Sequence, residues 1–146
     1  MKLGIASDHR GYKLKEGIKE VLDNVKDYGT NNEESCDYPD YAYKLSQGVL
    51  KNEVDFGIAI CGSGIGISIA CNKVKGIRCA KVSTPEEALY TRNDNDSNIV
   101  AFSEQTDLET ALQIIDKFIN TPFSNEEKHL RRINKIKEIE EGTYEG

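Results

Sequence analysis

Apolar residues recur along the chain in two alternating patterns: short β-branched runs, and segments with an apolar position every three or four residues. Lys2 to Ser7 predicts a first strand, ending in Ser7-Asp8-His9-Arg10-Gly11. Leu14, Ile18, Val21 and Leu22 then fall on one helical face. Asn24 to Tyr28 predicts a short second strand, and Gly29 to Cys36 a polar loop. Asp37-Tyr38-Pro39-Asp40 opens a helix carrying Tyr41, Leu45 and Val49, with its proline suited to the first turn. Val54 to Cys61 is the third strand, and the helix after it runs to about Asn72-Lys73, with Gly76 marking its exit. Ile77 to Val82 predicts the fourth strand. Ser83-Thr84-Pro85-Glu86-Glu87 is a strong helix start, with a capping hydroxyl, a proline and acidic residues against the helix dipole. The polar run Thr91 to Asn98 reads as a connection into a fifth strand, Ile99 to Phe102. Leu108, Ala111, Leu112, Ile115 and Phe118 mark the next amphipathic helix, and a final helix spans about 126–140.

Strand and helix alternating in this way predict an α/β fold, a five-stranded parallel sheet with helices on both faces. Ligands in such folds bind beyond the carboxyl ends of the strands. The first strand delivers Asp8 and His9 there, and the third delivers Cys61 and the glycine loop after it. Asp94 and Asn95 reach the same rim only if their connection folds back.

The stretch after the third strand carries the candidate chemistry. Cys61-Gly62-Ser63-Gly64-Ile65-Gly66 combines a thiol, a tight turn and a helix N-terminus. That arrangement points several backbone N–H groups at an anion, and glycine lets a ligand approach the backbone closely. Ile67 excludes three familiar phosphate loops. It stands where a Walker loop needs lysine, where a dinucleotide fingerprint needs its third glycine, and where a phosphatase cysteine loop needs arginine. A tight turn after a buried strand is the plainer alternative.

Length and charge narrow the class. At 146 residues the chain is expected to form one domain, residues 1–146, with a single core. No apolar run approaches membrane-spanning length, and Asp8 ends the apolar N-terminus before it reaches signal-peptide length. A net charge of −6 argues against nucleic acid or anionic membrane as partners, so an anionic substrate requires a local positive pocket. Cys36, Cys61, Cys71 and Cys79 show no paired spacing, and His9 and His129 are the only histidines. Neither a zinc site nor a disulfide is expected, and the cysteines read as reduced thiols of a cytoplasmic protein.

In the final helix Leu130, Ile133, Ile136 and Ile139 recur every three positions, so the apolar stripe rotates around the axis. A helix that packs on its own domain and on a second subunit needs such a stripe. Lys128 and Arg132, four apart, share a face and form either a solvated surface or an anion clamp.

Asp8-His9, Asp37-Tyr38-Pro39, the run Cys61 to Ala70, Asn72-Lys73, Gly76-Ile77-Arg78 and His129-Leu130-Arg131-Arg132 together resemble the type B ribose-5-phosphate isomerases. The resemblance covers nearly the whole chain, and the wider family includes galactose-6-phosphate and allose-6-phosphate isomerases. It implies a Rossmann-like three-layer α/β/α sandwich with an extra C-terminal helix, no cofactor or metal, and a homodimer or tetramer with active sites shared between subunits. Such an enzyme interconverts D-ribose 5-phosphate and D-ribulose 5-phosphate through an enediolate. The resemblance implies Cys61 as base and Ser63 as a hydroxyl contact or proton relay. It assigns sugar hydroxyls or ring opening to Asp8 and Tyr38, and phosphate to His9, Lys128 and Arg132.

The residue types suit that chemistry independently. A helix N-terminus favours the Cys61 thiolate, and the backbone from Gly62 through Gly64, Ile65 and Gly66 fits an oxyanion hole. Three positions depart from the family pattern. Asp94 stands before Asn95 where a ring-opening histidine is common. Lys128 stands where arginine is common, keeping the charge without the bidentate fork. Arg10 stands where a small residue is usual, to aid the phosphate or to line the rim. Isomerisation of a hexose 6-phosphate and a catalytically lapsed sugar-phosphate binder remain the alternatives, although a pure binder needs neither Cys61 nor Ser63.

Overall fold

The computed structural model describes all residues, Met1–Gly146. Five strands and six helices follow in the order β1 (Leu3–Ser7), α1 (Tyr12–Val21), β2 (Val25–Asp27), α2 (Tyr38–Leu50), β3 (Phe56–Cys61), α3 (Ile65–Asn72), β4 (Cys79–Lys81), α4 (Pro85–Asn95), β5 (Ile99–Ser103), α5 (Leu108–Asn120) and α6 (Glu127–Glu141). The strands form one parallel sheet in the order β2-β1-β3-β5-β4. The chain winds outward from β1 to β2 and then returns to lay β3 on the other side. The crevice between β1 and β3 is therefore the topological switch point, where open α/β sheets bind ligands.

Each face of the sheet has its own core, as a parallel sheet covered on both sides requires. Ile5, Ile58, Ile60, Val100 and Phe102 pack against Ile18 of α1, Ala88 of α4, and Ile115 and Phe118 of α5. The alternate positions Ala6, Ala59, Cys61, Ile99 and Ala101 pack against Leu45 and Val49 of α2 and Ile67 and Cys71 of α3. The β1–β3 register pairs Ser7 with Ile60, so Asp8 and Cys61 leave neighbouring strand ends on the α2/α3 side.

The expected three-layer sandwich with its extra helix is the architecture observed, with three local differences. Val21 points to solvent, 55% exposed, while Ile18 is fully buried and Leu14 and Leu22 pack partly against the core. Strands β2 and β4, at the two sheet edges, are three residues each, shorter than the apolar runs predict. The polar run from Thr91 is helix as far as Asn95, because its polar groups find partners there. Buried Arg92 stacks over Phe56 and Phe118, donates to the Ser97 carbonyl (2.7 Å) and pairs with Asp96 (2.8 Å). Asp96 then ends the helix in the left-handed conformation at φ 49°.

A buried ion network ties α1 to β2. Lys15, wholly buried, donates to Asp27 (2.6 Å) and Glu16 (2.9 Å), and Lys19 donates to the same two carboxylates. Asp27 also accepts the Gly29 N–H at 2.8 Å, and the Gly29 carbonyl accepts the Ser7 N–H. The network thus fixes the loop beside the carboxyl end of β1. Burial raises the Asp27 pKa, but the hydrogen bonds from Lys15, Lys19 and Gly29 outweigh it and hold the carboxyl below its ordinary value.

Candidate active site

Cys61 ends β3, 4% exposed, with its sulfur at the mouth of the turn into α3. The Gly64 N–H donates to Sγ at 3.2 Å and the Ile65 N–H donates to Ser63 Oγ at 3.1 Å. Gly64 caps the helix at φ 80°, and a Cβ there would lie 2.7 Å from the backbone carbonyl carbon of Phe102. Only glycine meets both demands. The Gly62 and Ser63 N–H groups donate to no protein acceptor, and the Gly66 N–H is among the first-turn donors with no intrahelical partner. These unpartnered donors, close in sequence along one turn, are the kind that stabilise an oxyanion.

Neighbouring elements complete this end of the sheet. Asp8 is buried; its Oδ1 accepts the N–H groups of Arg10 and Gly11, each at 3.0 Å, while Oδ2 has no partner in the protein. His9 Nδ1 accepts the Cys36 N–H at 3.3 Å, so the neutral ring carries its proton on Nε2, a donor free for a ligand. Tyr38, at the start of α2, lays its ring over Gly66; a Cβ on Gly66 would meet Cζ at 2.7 Å. One contributor escaped the sequence reading. Ser103, paired with Cys61 across the β3–β5 register, donates to the Gly62 carbonyl at 2.7 Å and so orients the first peptide of the turn. Its only signal in the sequence is its place at the end of a strand.

The remaining candidates lie elsewhere. Helix α4 runs back along the sheet, so Asp94 and Asn95 sit at the amino ends of the strands, and the fold-back that would bring them beside Cys61 does not occur. Helix α6 lies at that same end. The Ser124 N–H donates to the Asn93 carbonyl, His129 Nε2 approaches Asp94 Oδ1 (3.4 Å), and Glu140 accepts the Gly76 N–H just before β4. Lys128 has only a distant exposed carboxylate, Glu126 at 3.9 Å, and Arg132 makes no hydrogen bond or ion pair. A groove of about 660 Å³ opens beside this cluster, lined in part by Arg78, Asn95, Ile136 and Ile139. The length of β3, six residues or about 20 Å, separates the two clusters within one chain. One chain thus presents Asp8, His9, Tyr38, Cys61 and the glycine turn at one end, and Asp94, Asn95, Lys128 and Arg132 at the other.

The apolar stripe of α6 divides as its rotation predicts. Ile133 is buried, whereas Leu130, Ile136 and Ile139 are 42%, 47% and 61% exposed. Ile65 and Ile69 on α3 are likewise more than half exposed. No helix is long and apolar enough to cross a membrane, and no group of three or more His, Cys, Asp or Glu side chains converges as a metal site.

Comparison with known proteins places the chain in context. The family model described as Ribose/Galactose Isomerase matches residues 3–136. Ribose-5-phosphate isomerase B of Escherichia coli (strain K12) is 40% identical over 145 residues, covering 96% of this chain and 97% of that one. The structure of Clostridium thermocellum ribose-5-phosphate isomerase B superposes with a TM-score of 0.93 at 45% identity, covering 97% of this chain and 99% of the other. That of the Mycoplasma genitalium enzyme with bound ribulose-5-phosphate gives 0.88 at 37% identity, covering 96% of each chain.

Proposed function

The chain belongs to the ribose/galactose isomerase family, and we propose that it interconverts D-ribose 5-phosphate and D-ribulose 5-phosphate with Cys61 as the base. It is an aldose–ketose isomerase, an intramolecular oxidoreductase. The observation that carries the assignment of the base is the Cys61 sulfur at the switch point, receiving the Gly64 N–H at 3.2 Å next to the unpartnered N–H groups of Gly62 and Ser63.

The reaction moves one proton between C2 and C1. Cys61 takes it from C2 of the aldose, and the electrons left behind form an enediolate. The N–H groups of the glycine turn hold the oxyanion, where one such donor is typically worth about 3 kcal/mol. The thiol then returns the proton to C1. Ser63, whose hydroxyl hydrogen is not committed by the Ile65 contact, hydrogen-bonds the sugar oxygens and relays a proton between them. The free Oδ2 of Asp8 accepts the proton of the anomeric hydroxyl as the bond from C1 to the ring oxygen breaks, and passes a proton on to that oxygen; Tyr38 contacts sugar hydroxyls.

Residues 1–146 act as one sugar-phosphate isomerase domain, and the working unit is a homodimer. Its support is the separation of the two clusters: a second copy must bring Asp94, Asn95, Lys128 and Arg132 to the Cys61 end of the first. The exposed apolar residues of α6 supply part of the contact. With the partner in place, His9 from one chain and Lys128 and Arg132 from the other grip the phosphate. The four cysteines are all free, which suits the reducing cytoplasm we propose as its location.

Incubation in deuterated water with ribose 5-phosphate, allose 6-phosphate and galactose 6-phosphate tests the assignment. Deuterium is expected in the ketose from ribose 5-phosphate. Incorporation only with a hexose phosphate would transfer the activity to that sugar, and binding without incorporation from any of them would make the protein a lapsed binder.

A further inference from the structure

Arg10 occupies the glycine turn in a way that its place on the rim does not require. Its guanidinium lies against Gly62, the residue after Cys61: a Cβ on Gly62 would come within 2.6 Å of Nη1 and 2.7 Å of Cζ. The missing side chain at position 62 is what admits it. Nη2 pairs with a single oxygen of Glu104, Oε1, at 3.2 Å, and Nε and Nη1 have no acceptor in the protein. Both partners are solvent-accessible, the Arg10 side chain 56% and Glu104 29%. Such a pair is weak and exchangeable.

The charge balance gives this contact its meaning. Arg78 and Arg92 lie at the amino ends of the strands, as do the arginines of α6, so Arg10 is the only arginine at the carboxyl ends. His9 offers a donor from a ring that needs no positive charge to give it. In a chain of net charge −6, the side of the site built by the Cys61 chain thus holds one guanidinium, and a neighbouring carboxylate occupies it. A phosphate dianion accepts the fork of arginine bidentately and more strongly than one carboxylate oxygen does. The oxyanion at the reacting carbons already has the free N–H groups of Gly62 and Ser63, so the phosphate is the charge left wanting a cation on this side.

We propose that Arg10 is a ligand of the substrate phosphate, held on Glu104 until the sugar phosphate displaces that carboxylate. The inference rests on the isomerase reading above and extends it to a residue that supplies, from the Cys61 chain itself, a charge the partner's Lys128 and Arg132 do not replace. Glu104 has a defined part in it: it keeps the guanidinium over the turn and competes with the phosphate.

The test is steady-state turnover of ribose 5-phosphate by the full chain, paired with calorimetric titration of inorganic phosphate. Arg10→Ala is expected to raise KM about tenfold to a hundredfold, the loss of one charge-assisted interaction, with kcat nearly unchanged. Phosphate binding should weaken by a similar factor. Arg10→Lys should recover part of both losses, and Glu104→Gln should lower KM by removing the competitor. Unchanged KM and phosphate affinity in Arg10→Ala would make Arg10 a rim charge and overturn the proposal. A fall in kcat at constant KM would also overturn it, by moving Arg10 to the reacting carbons. Absence of turnover in the unsubstituted protein would count against the isomerase reading alone, because phosphate calorimetry still decides Arg10.

Discussion

The Gly64 N–H points at Cys61 Sγ across 3.2 Å, so the sulfur that ends β3 is seated on a free donor at the head of the next helix. Strand, turn and helix are consecutive in sequence, and the contact therefore forms whenever the turn does. A thiol buried at the end of a strand is usually packing. One that receives a helix-terminal N–H at a ligand crevice is positioned to meet a ligand.

Cys61→Ala should consequently abolish isomerisation, by about a thousandfold or more, the upper part of the range for removing a positioned base. The fold and phosphate binding should remain nearly intact. Cys71→Ala, in the core between α2 and α3, is the control and should lower stability more than turnover. Comparing kcat with a thermal melt for each variant checks this. Turnover near that of the unsubstituted protein in Cys61→Ala would remove the thiol from the mechanism.

The proposed sharing of the site between two chains predicts complementation. Cys61→Ala and Arg132→Ala, each inactive or weak alone, should regain activity when mixed and allowed to exchange subunits. A mixed dimer pairs the intact Cys61 end of one chain with the intact Arg132 of the other, restoring a site. Sedimentation should show at least a dimer at micromolar concentration. A monomer that is fully active there would defeat the shared site.

Ring opening separates two aspartates. Asp8 keeps Oδ2 free beside Cys61, whereas Asp94 already accepts from Asn93 (2.7 Å) and faces His129. Asp8→Asn should lower kcat by about a hundredfold or more, as for loss of a general base, and Asp94→Asn by much less. Assays with each variant at saturating ribose 5-phosphate decide it. If Asp94→Asn is the more damaging while still binding substrate, Asp94 has taken the ring-opening role.

The Lys15–Asp27 network predicts a pH-dependent stability. Asp27 is held below the ordinary carboxylate range, as burial is outweighed by hydrogen bonds from Lys15, Lys19 and Gly29. A carboxyl with a lowered folded pKa contributes its full stability above the unfolded value, about 3.9, and loses it as pH falls through the folded value beneath. The Lys19 pKa is raised, chiefly by its hydrogen bond to Asp27. Its share is full below about 10.4 and is lost as pH rises through the folded value above that. Asp27→Asn should cost about 3 kcal/mol at pH 7, since it removes one partner of a buried ammonium that retains Glu16. Urea unfolding from pH 7 to pH 3 should show the gap between the two proteins closing. A gap independent of pH would exclude the ion pair as its cause.

Local chemistry made most of the fold legible in the sequence. The alternating β-branched runs and helical stripes set the number and order of elements, because burial on both faces of a parallel sheet leaves few alternatives. The glycine turn was legible for the same reason: Cys61, Gly62, Ser63 and Gly64 build their site from near neighbours. What the sequence could not show depended on partners distant along the chain. Thr91 to Asn95 look like a loop until Phe56, Phe118 and the Ser97 carbonyl satisfy Arg92 and draw the helix onward. Ser103 matters only because the register sets it beside Cys61. Asp94, Lys128 and Arg132 stand at positions that the resemblance assigns to the site, yet the direction of α4 and the seat of α6 put them a strand's length from the thiol. A sequence can state which side chains a site needs; the path of the backbone decides whether one chain can bring them together.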